Sequence, residues 1–186
     1  MCGIAGIVRL SHAPLDVADL VSFYRVAKSN AARGRDSFGF TGFTLNQEAV
    51  SIKKGVSFDM SREQFLNWAY SHQLYGVIAN FRGEPTTEFI KNKEHKDVQP
   101  FGFNDVFVTH NGTISNDKEL LENSPIKGIF KPGEHIIDSY AIIEAYLTHG
   151  KDFVNHIQGS FALALVDAPL ELKYLYLVRN YRSLYA

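Results

Sequence analysis

One cysteine in 186 residues leaves no possibility of an internal disulfide, so packing alone must hold the chain together. No apolar run approaches the roughly 18 residues a membrane helix needs. The N-terminus lacks a basic stretch followed by an apolar one, which excludes a secretory signal. These absences point to a cytoplasmic protein that does not engage a membrane. Neither charge sign dominates: 19 Lys and Arg face 20 Asp and Glu, for a formal net charge of −1, and a nucleic-acid partner is not expected. Seven His and the single Cys show no ligand-like spacing, so no metal and no cofactor are expected. Linkers rich in Pro, Gly or Ser, internal repeats and low-complexity segments are all missing, and residues 1–186 read as one domain.

What is present is the composition of a globular protein, with 45% hydrophobic and 21% charged residues. Asp16 caps a predicted helix whose apolar positions Val17, Leu20, Val21, Tyr24, Ala27 and Ala31 share one face and which ends near Gly34. "FGFTGFTL" and "AVSIKK" predict a hairpin, and Ser61 with Gln64 forms a capping box opening a second helix through about His72. "YGVIANF" and "DVFVTH" read as strands, and Asp138 precedes the helical run "SYAIIEAYLTH", with Gly150 as its C-cap. "GSFALALVD" and "LKYLYLVR" close the chain as a second hairpin, apolar on both faces. Such strands imply sheets between other layers, for which an αββα stack is one mixed fold among several.

Five places carry possible chemistry. Cys2 sits in "MCGIAGIV", a terminal strand that something holds in place, since termini otherwise fray. It is either a small buried hydrophobe or, once Met1 is removed, a residue carrying both a nucleophilic thiol and an α-amine titrating at about 7.7–8.0. In "VTHNGTISN", Asn111-Gly112 reads as a turn, or as a side-chain amide beside an open backbone N–H able to stabilise an oxyanion. His110 is a base for Cys2 or a satisfied core histidine. "ARGRDSFGF" and "ANFRGEPTTEF" each place an Arg beside a Gly, where a guanidinium fork can hold a carboxylate or lie solvated in a loop. Asp138 is an N-cap or a ligand for an amine.

These pieces occur together and in order. "MCGIAGIV", "RGRDSFG", "FRGEPT", "HNGTISN", "DSYAI" and "GSFALALVD" resemble the class II, or N-terminal-nucleophile, glutamine amidotransferases, the glutaminase domains of glucosamine-6-phosphate synthase, amidophosphoribosyltransferase and asparagine synthetase. The resemblance implies an α+β fold, a four-layer αββα sandwich, that hydrolyses L-glutamine to glutamate and ammonia. It assigns Cys2 as nucleophile, Asn111 and Gly112 as the oxyanion hole, Arg82 as the clamp on the glutamine α-carboxylate and Asp138 as the ligand of its α-amine. Thr86 is a further candidate glutamine contact. The free amine of the cysteine, not His110, is the proton carrier such families use.

Where glucosamine-6-phosphate synthase has "TRWATHG", this chain reads "NFRGEPTTE", keeping the Arg and losing the Trp. "RGRDSFG" resembles a loop packed near the pocket. No acceptor domain follows, which leaves either a free-standing glutaminase feeding a separate synthase or a truncated piece. The aromatic end, with Tyr181 and Tyr185, either finishes the core or faces that partner. Two other readings stand beside the glutaminase: another N-terminal-nucleophile amidohydrolase, against which the paired Arg82 and Asp138 argue, and a non-catalytic glutamine-binding or interaction module, which would tolerate a retained Met1.

Overall fold

The computed structural model describes residues 2–11, 13–46, 48–84, 92–132, 134, 136–168 and 174–184. Two four-stranded antiparallel sheets lie face to face. The first contains β1 (Gly3–Val8), β2 (Ser37–Thr44), β3 (Ala49–Lys54) and β4 (Leu74–Arg82), in the order β1-β4-β2-β3. The second contains β5 (Phe101–Phe103), β6 (Val106–Ile114), β7 (Gly159–Asp167) and β8 (Tyr174–Asn180), in chain order. Helices α1 (Val17–Ala31) and α2 (Arg62–Ser71) cover the first sheet, and α3 (Asp117–Leu121) and α4 (Ser139–His149) cover the second.

The alternation of side chains along each strand builds these layers. On β2, Phe38 and Phe40 face α1 and α2, whereas Phe43 crosses to the opposite sheet and meets Phe107 edge-on at 5.7 Å. Phe40 is ringed by Phe23, Phe38, Phe58, Phe65, Trp68 and Phe81. Burying one such ring is worth about 1.5–3 kcal/mol, and this aromatic cluster anchors α1 and α2 on the first sheet. On β7, Phe161, Leu163 and Leu165 pack towards α4, while Val166 lies between the sheets.

Two of the N-caps read from sequence, Asp16 and Ser61, form capping boxes. Asp16 accepts from the Asp19 amide at 2.9 Å, and Ser61 from the Gln64 amide at 3.1 Å. Arg9 pairs with both Asp16 and Asp19. The paired strands β2 and β3 form the expected hairpin.

Three readings are corrected. Asn111-Gly112 is not a turn: β6 runs through it to Ile114, pairing Asn111 with Ala162 and Gly112 with Phe161 on β7. Asp138 sits at the head of α4 with helical φ and ψ, and its side chain makes no capping bond. The last strand is not buried on both faces. Among the described residues β8 pairs only with β7, at the edge of the sheet, and Leu177 is 47% exposed. Tyr181 is 91% exposed and does not finish the core; Tyr185 lies outside the described residues. Among the described residues no helix is long and apolar enough to cross a membrane.

Candidate active site

The same alternation that builds the layers delivers the candidate residues to one place. On β6 the even positions Val106, Val108 and Ile114 face α4, so His110 points to that side, while Phe107 and Thr109 face the first sheet and Asn111 follows them. Cys2 leads into β1, where Gly3 pairs with Phe81 on β4, one residue before Arg82. The start of β1, the end of β4, the middle of β6 and the head of α4 therefore converge. They enclose a cavity of about 290 Å³ lined by Cys2, Arg82, Asn111, Gly112 and Asp138, together with Gly83, Glu84, Gln99, His110, Thr113, Ser139 and Arg182. Thr86 lies outside the described residues.

The Cys2 backbone nitrogen donates to Asn111 Oδ1 at 3.2 Å. This bond fixes the amide's orientation, because Oδ1 is taken and Nδ2 is the end left to donate. Gly112 follows with φ of +144°, and a Cβ there would lie 2.0 Å from the Ser160 carbonyl oxygen. Only glycine fits this backbone. Burial pushes the Cys2 thiol up from its ordinary value, opposed by the Gly83 amide and the nearby Arg82 guanidinium. The thiol is therefore the resting form at neutral pH, and it needs a base to become a nucleophile.

Arg82 is buried at the end of β4, its Nη1 donating to the Asp97 carbonyl at 3.3 Å and its Nε lying 3.6 Å from Glu84 Oε1. Glu84 also faces Lys93 Nζ at 3.2 Å. The backbone here is held by the "RGRDSFG" segment. Asp36 Oδ2 accepts from the Glu84 amide at 2.7 Å, and the Asp36 amide donates to the Arg82 carbonyl at 3.0 Å. Gly34 lets that loop approach, since a Cβ would lie 2.1 Å from the Phe81 oxygen. The segment thus packs against the site without reaching into the cavity.

Asp138 turns its carboxylate across to β6, where Oδ2 accepts from the Ile114 amide at 2.8 Å and Oδ1 from the Ser139 hydroxyl at 3.3 Å. Burial pushes its pKa up, against the Ile114 bond and the charge of Arg82. His110 is 2% exposed, and burial with the charges of Arg82 and Arg182 pushes its pKa down to about 3. It is neutral at working pH and bonded through Nδ1 to Ser139 Oγ at 2.8 Å. Behind it, Gln99 Oε1 accepts from the His110 amide at 2.7 Å and from Asn80 Nδ2 at 3.0 Å, and Asn80 also donates to Thr109 Oγ1 and the His110 carbonyl. This inter-sheet polar network stiffens β6 beneath the site. Gln99, Ser139 and Arg182 carry no sequence signal of their own; only the adjacency of Ser139 to Asp138 pointed that way.

Among the described residues no group of three or more His, Cys, Asp and Glu is placed to hold a metal ion. The arrangement instead offers a thiol, an oriented amide donor and an open backbone N–H, with a guanidinium on one wall and a carboxylate on another. Such a set suits acyl transfer on a zwitterionic amide.

The fold matches the B. subtilis glutamine phosphoribosylpyrophosphate amidotransferase with a TM-score of 0.60, at 17% identity, over 90% of this chain and 35% of that one. The likeness is one of fold, two antiparallel sheets between helical layers. The 7-cyano-7-deazaguanine synthase of Saccharolobus solfataricus is 31% identical over all of this chain and 40% of its own length. The glutamine–fructose-6-phosphate aminotransferase (isomerizing) of Sulfolobus acidocaldarius is 30% identical over 89% of this chain and 28% of its own. The chain thus spans 40% or less of these curated relatives. Residues 87–186 match the model of the glutamine amidotransferase domain, and the chain belongs to the glutamine amidotransferase domain family.

Proposed function

We propose that this chain hydrolyses L-glutamine to glutamate and ammonia through a thioester on Cys2, after removal of Met1, and that a synthase consumes the ammonia. What supports the reading is the convergence of Cys2, Asn111, Gly112, Arg82 and Asp138 on one cavity. Arg82 holds the glutamine α-carboxylate and Asp138 its α-ammonium, which presents the side-chain amide to Cys2. The α-amine of Cys2 takes the thiol proton as sulfur attacks the amide carbon, and the developing oxyanion is met by Asn111 Nδ2 and the Gly112 N–H. The amine returns the proton to the leaving nitrogen, which departs as ammonia. Water, deprotonated by the same amine, then cleaves the thioester to glutamate and the free thiol. The acceptor is of the kind named among its relatives, a synthase such as 7-cyano-7-deazaguanine synthase.

The test is an intact mass of the active protein, glutamine turnover, and reaction with a glutamine-like diazoketone. Loss of Met1 with a single adduct on Cys2 is the expected result. A protein that turns over glutamine with Met1 still in place would end the amine-base mechanism.

Two further results are expected. The kcat/KM for glutamine rises with pH through an apparent ionisation near 7.7–8.0, because the α-amine must be neutral to accept the thiol proton. Burial holds the Cys2 thiol protonated at lower pH, so no acidic thiolate limb precedes that rise. The amine and thiol couple, and the value belongs to the pair. A profile flat from about pH 6 to 9 contradicts this base. Arg82→Ala and Asp138→Ala raise KM at least tenfold, because each removes a charge-assisted contact of about 1.5–3 kcal/mol made already in the ground state. Steady-state kinetics with unchanged KM in Asp138→Ala would remove it from the substrate site.

A further inference from the structure

His110 presents a contradiction. It is a buried histidine whose Nε2 has no hydrogen-bond partner among the described residues, and an orphaned polar atom of this kind is costly enough to need a reason. The reason lies on the other side of the ring. Asp138 as a carboxylate only accepts, so the one proton of the Ser139 hydroxyl goes to Asp138 Oδ1. Ser139 Oγ must then accept from His110 at 2.8 Å, which places the proton of the neutral ring on Nδ1 and strips Nε2. The tautomer that orphans Nε2 is the one that keeps the Ser139 proton aimed at Asp138.

We propose that His110 and Ser139 form a positioning relay, His110 Nδ1–H to Ser139 Oγ–H to Asp138 Oδ1, that sets the Asp138 carboxylate for a substrate α-ammonium and so makes the site selective for amides bearing a free α-amine. With the Ile114 amide on Oδ2, both carboxylate oxygens are held by donors from separate elements, β6 and α4. Neither donor can reverse: the amide has no acceptor face, and the hydroxyl is locked by the imidazole behind it. The carboxylate therefore cannot rotate away or draw back a proton from this side, and its remaining lone pairs are presented to the cavity it lines. The selectivity rests on the glutaminase reading above, whereas the proton positions do not.

Nitrogen NMR of the His110 ring in the whole protein reads the tautomer without substrate. The relay requires Nδ1–H with a bare Nε2 at neutral pH, reverting to the commoner Nε2–H form in Ser139→Ala. An Nε2–H ring or an imidazolium in the unaltered protein overturns it. In kinetics, Ser139→Ala and His110→Leu are expected to raise the KM for glutamine about tenfold with kcat within about twofold. His110→Asn, which keeps a donor near the position of Nδ1, restores most of the loss. With glutaramic acid, which is glutamine without its α-amine, the same variants should match the unaltered protein. An equal loss on both substrates would assign Ser139 and His110 to general packing and overturn the selectivity. Absence of any glutamine turnover in the unaltered protein sinks the proposed function instead, and the ring tautomer still decides the relay.

Discussion

Cys2→Ala is expected to abolish glutamine turnover, with residual activity at least about 10³-fold below the unaltered protein, since no other group can form the thioester. The chain has no second cysteine to substitute. His110 is a poor substitute base for water, because burial and the charges of Arg82 and Arg182 push its pKa down to about 3. Cys2→Ser is expected to retain little, since a hydroxyl beside the same amine ionises far less readily than a thiol. The fold should not suffer: Cys2 precedes β1, is only partly buried, and holds its place through its backbone nitrogen on Asn111, a bond that alanine keeps. The measurement is glutamate release alongside thermal unfolding. Full turnover in a folded Cys2→Ala protein would remove the nucleophile from the proposal, whereas loss of turnover accompanied by unfolding would move Cys2 back to packing.

The fold was legible wherever local chemistry and long-range packing agreed. Asp16 and Ser61 open helices because an exposed N-cap answers to its own neighbours: the capping box of Ser61 and Gln64 forms as read, and Asp16, read as a cap, closes a second box with Asp19. The hairpin of β2 and β3 likewise follows from adjacent alternating strands. Asn111-Gly112 misled because the dipeptide's turn preference is a local one. In β6 the ladder to β7 carries the chain straight through Asn111 and Gly112, and Gly112 is needed for its close approach to Ser160 rather than for a reversal. Composition also could not reveal that β8 is an edge, because an apolar run looks the same whether one face or two are covered. The three-residue β5 and five-residue α3 are too short to show a period.

At the site, the residues matched by family resemblance, apart from Thr86, meet around one cavity. What no reading of spacing supplied is how they are held. Asp138 was open between cap and ligand, and its carboxylate resolves the first half by bonding to Ile114, 24 positions away. Asp36 reaches the Glu84 amide from 48 positions away, and Gln99 ties Asn80 to β6 across the two sheets. Each of these bonds joins segments that come together only through tertiary structure. A polar residue aimed at a distant backbone amide leaves no periodic trace in the sequence.

Asn111→Ala is expected to lower kcat by about 10²–10³ with a smaller change in KM, the pattern of a donor used mainly in the transition state. Asn111 has a second task, since its Oδ1 takes the Cys2 N–H and so places the nucleophile, and alanine removes both functions at once. Asn111→Asp separates them. An aspartate retains an oxygen for Cys2 nitrogen but replaces the Nδ2 donor with negative charge where the oxyanion forms, so its kcat should fall at least as far as that of alanine. Gly112 is not open to the same test, because any side chain there meets the Ser160 carbonyl at 2.0 Å and an unfavourable φ of +144°, and a loss of stability would mask the chemistry. The aspartate therefore decides the matter. Near-normal kcat in Asn111→Asp would mean that Asn111 only orders Cys2, and that the oxyanion is met by the Gly112 N–H without it.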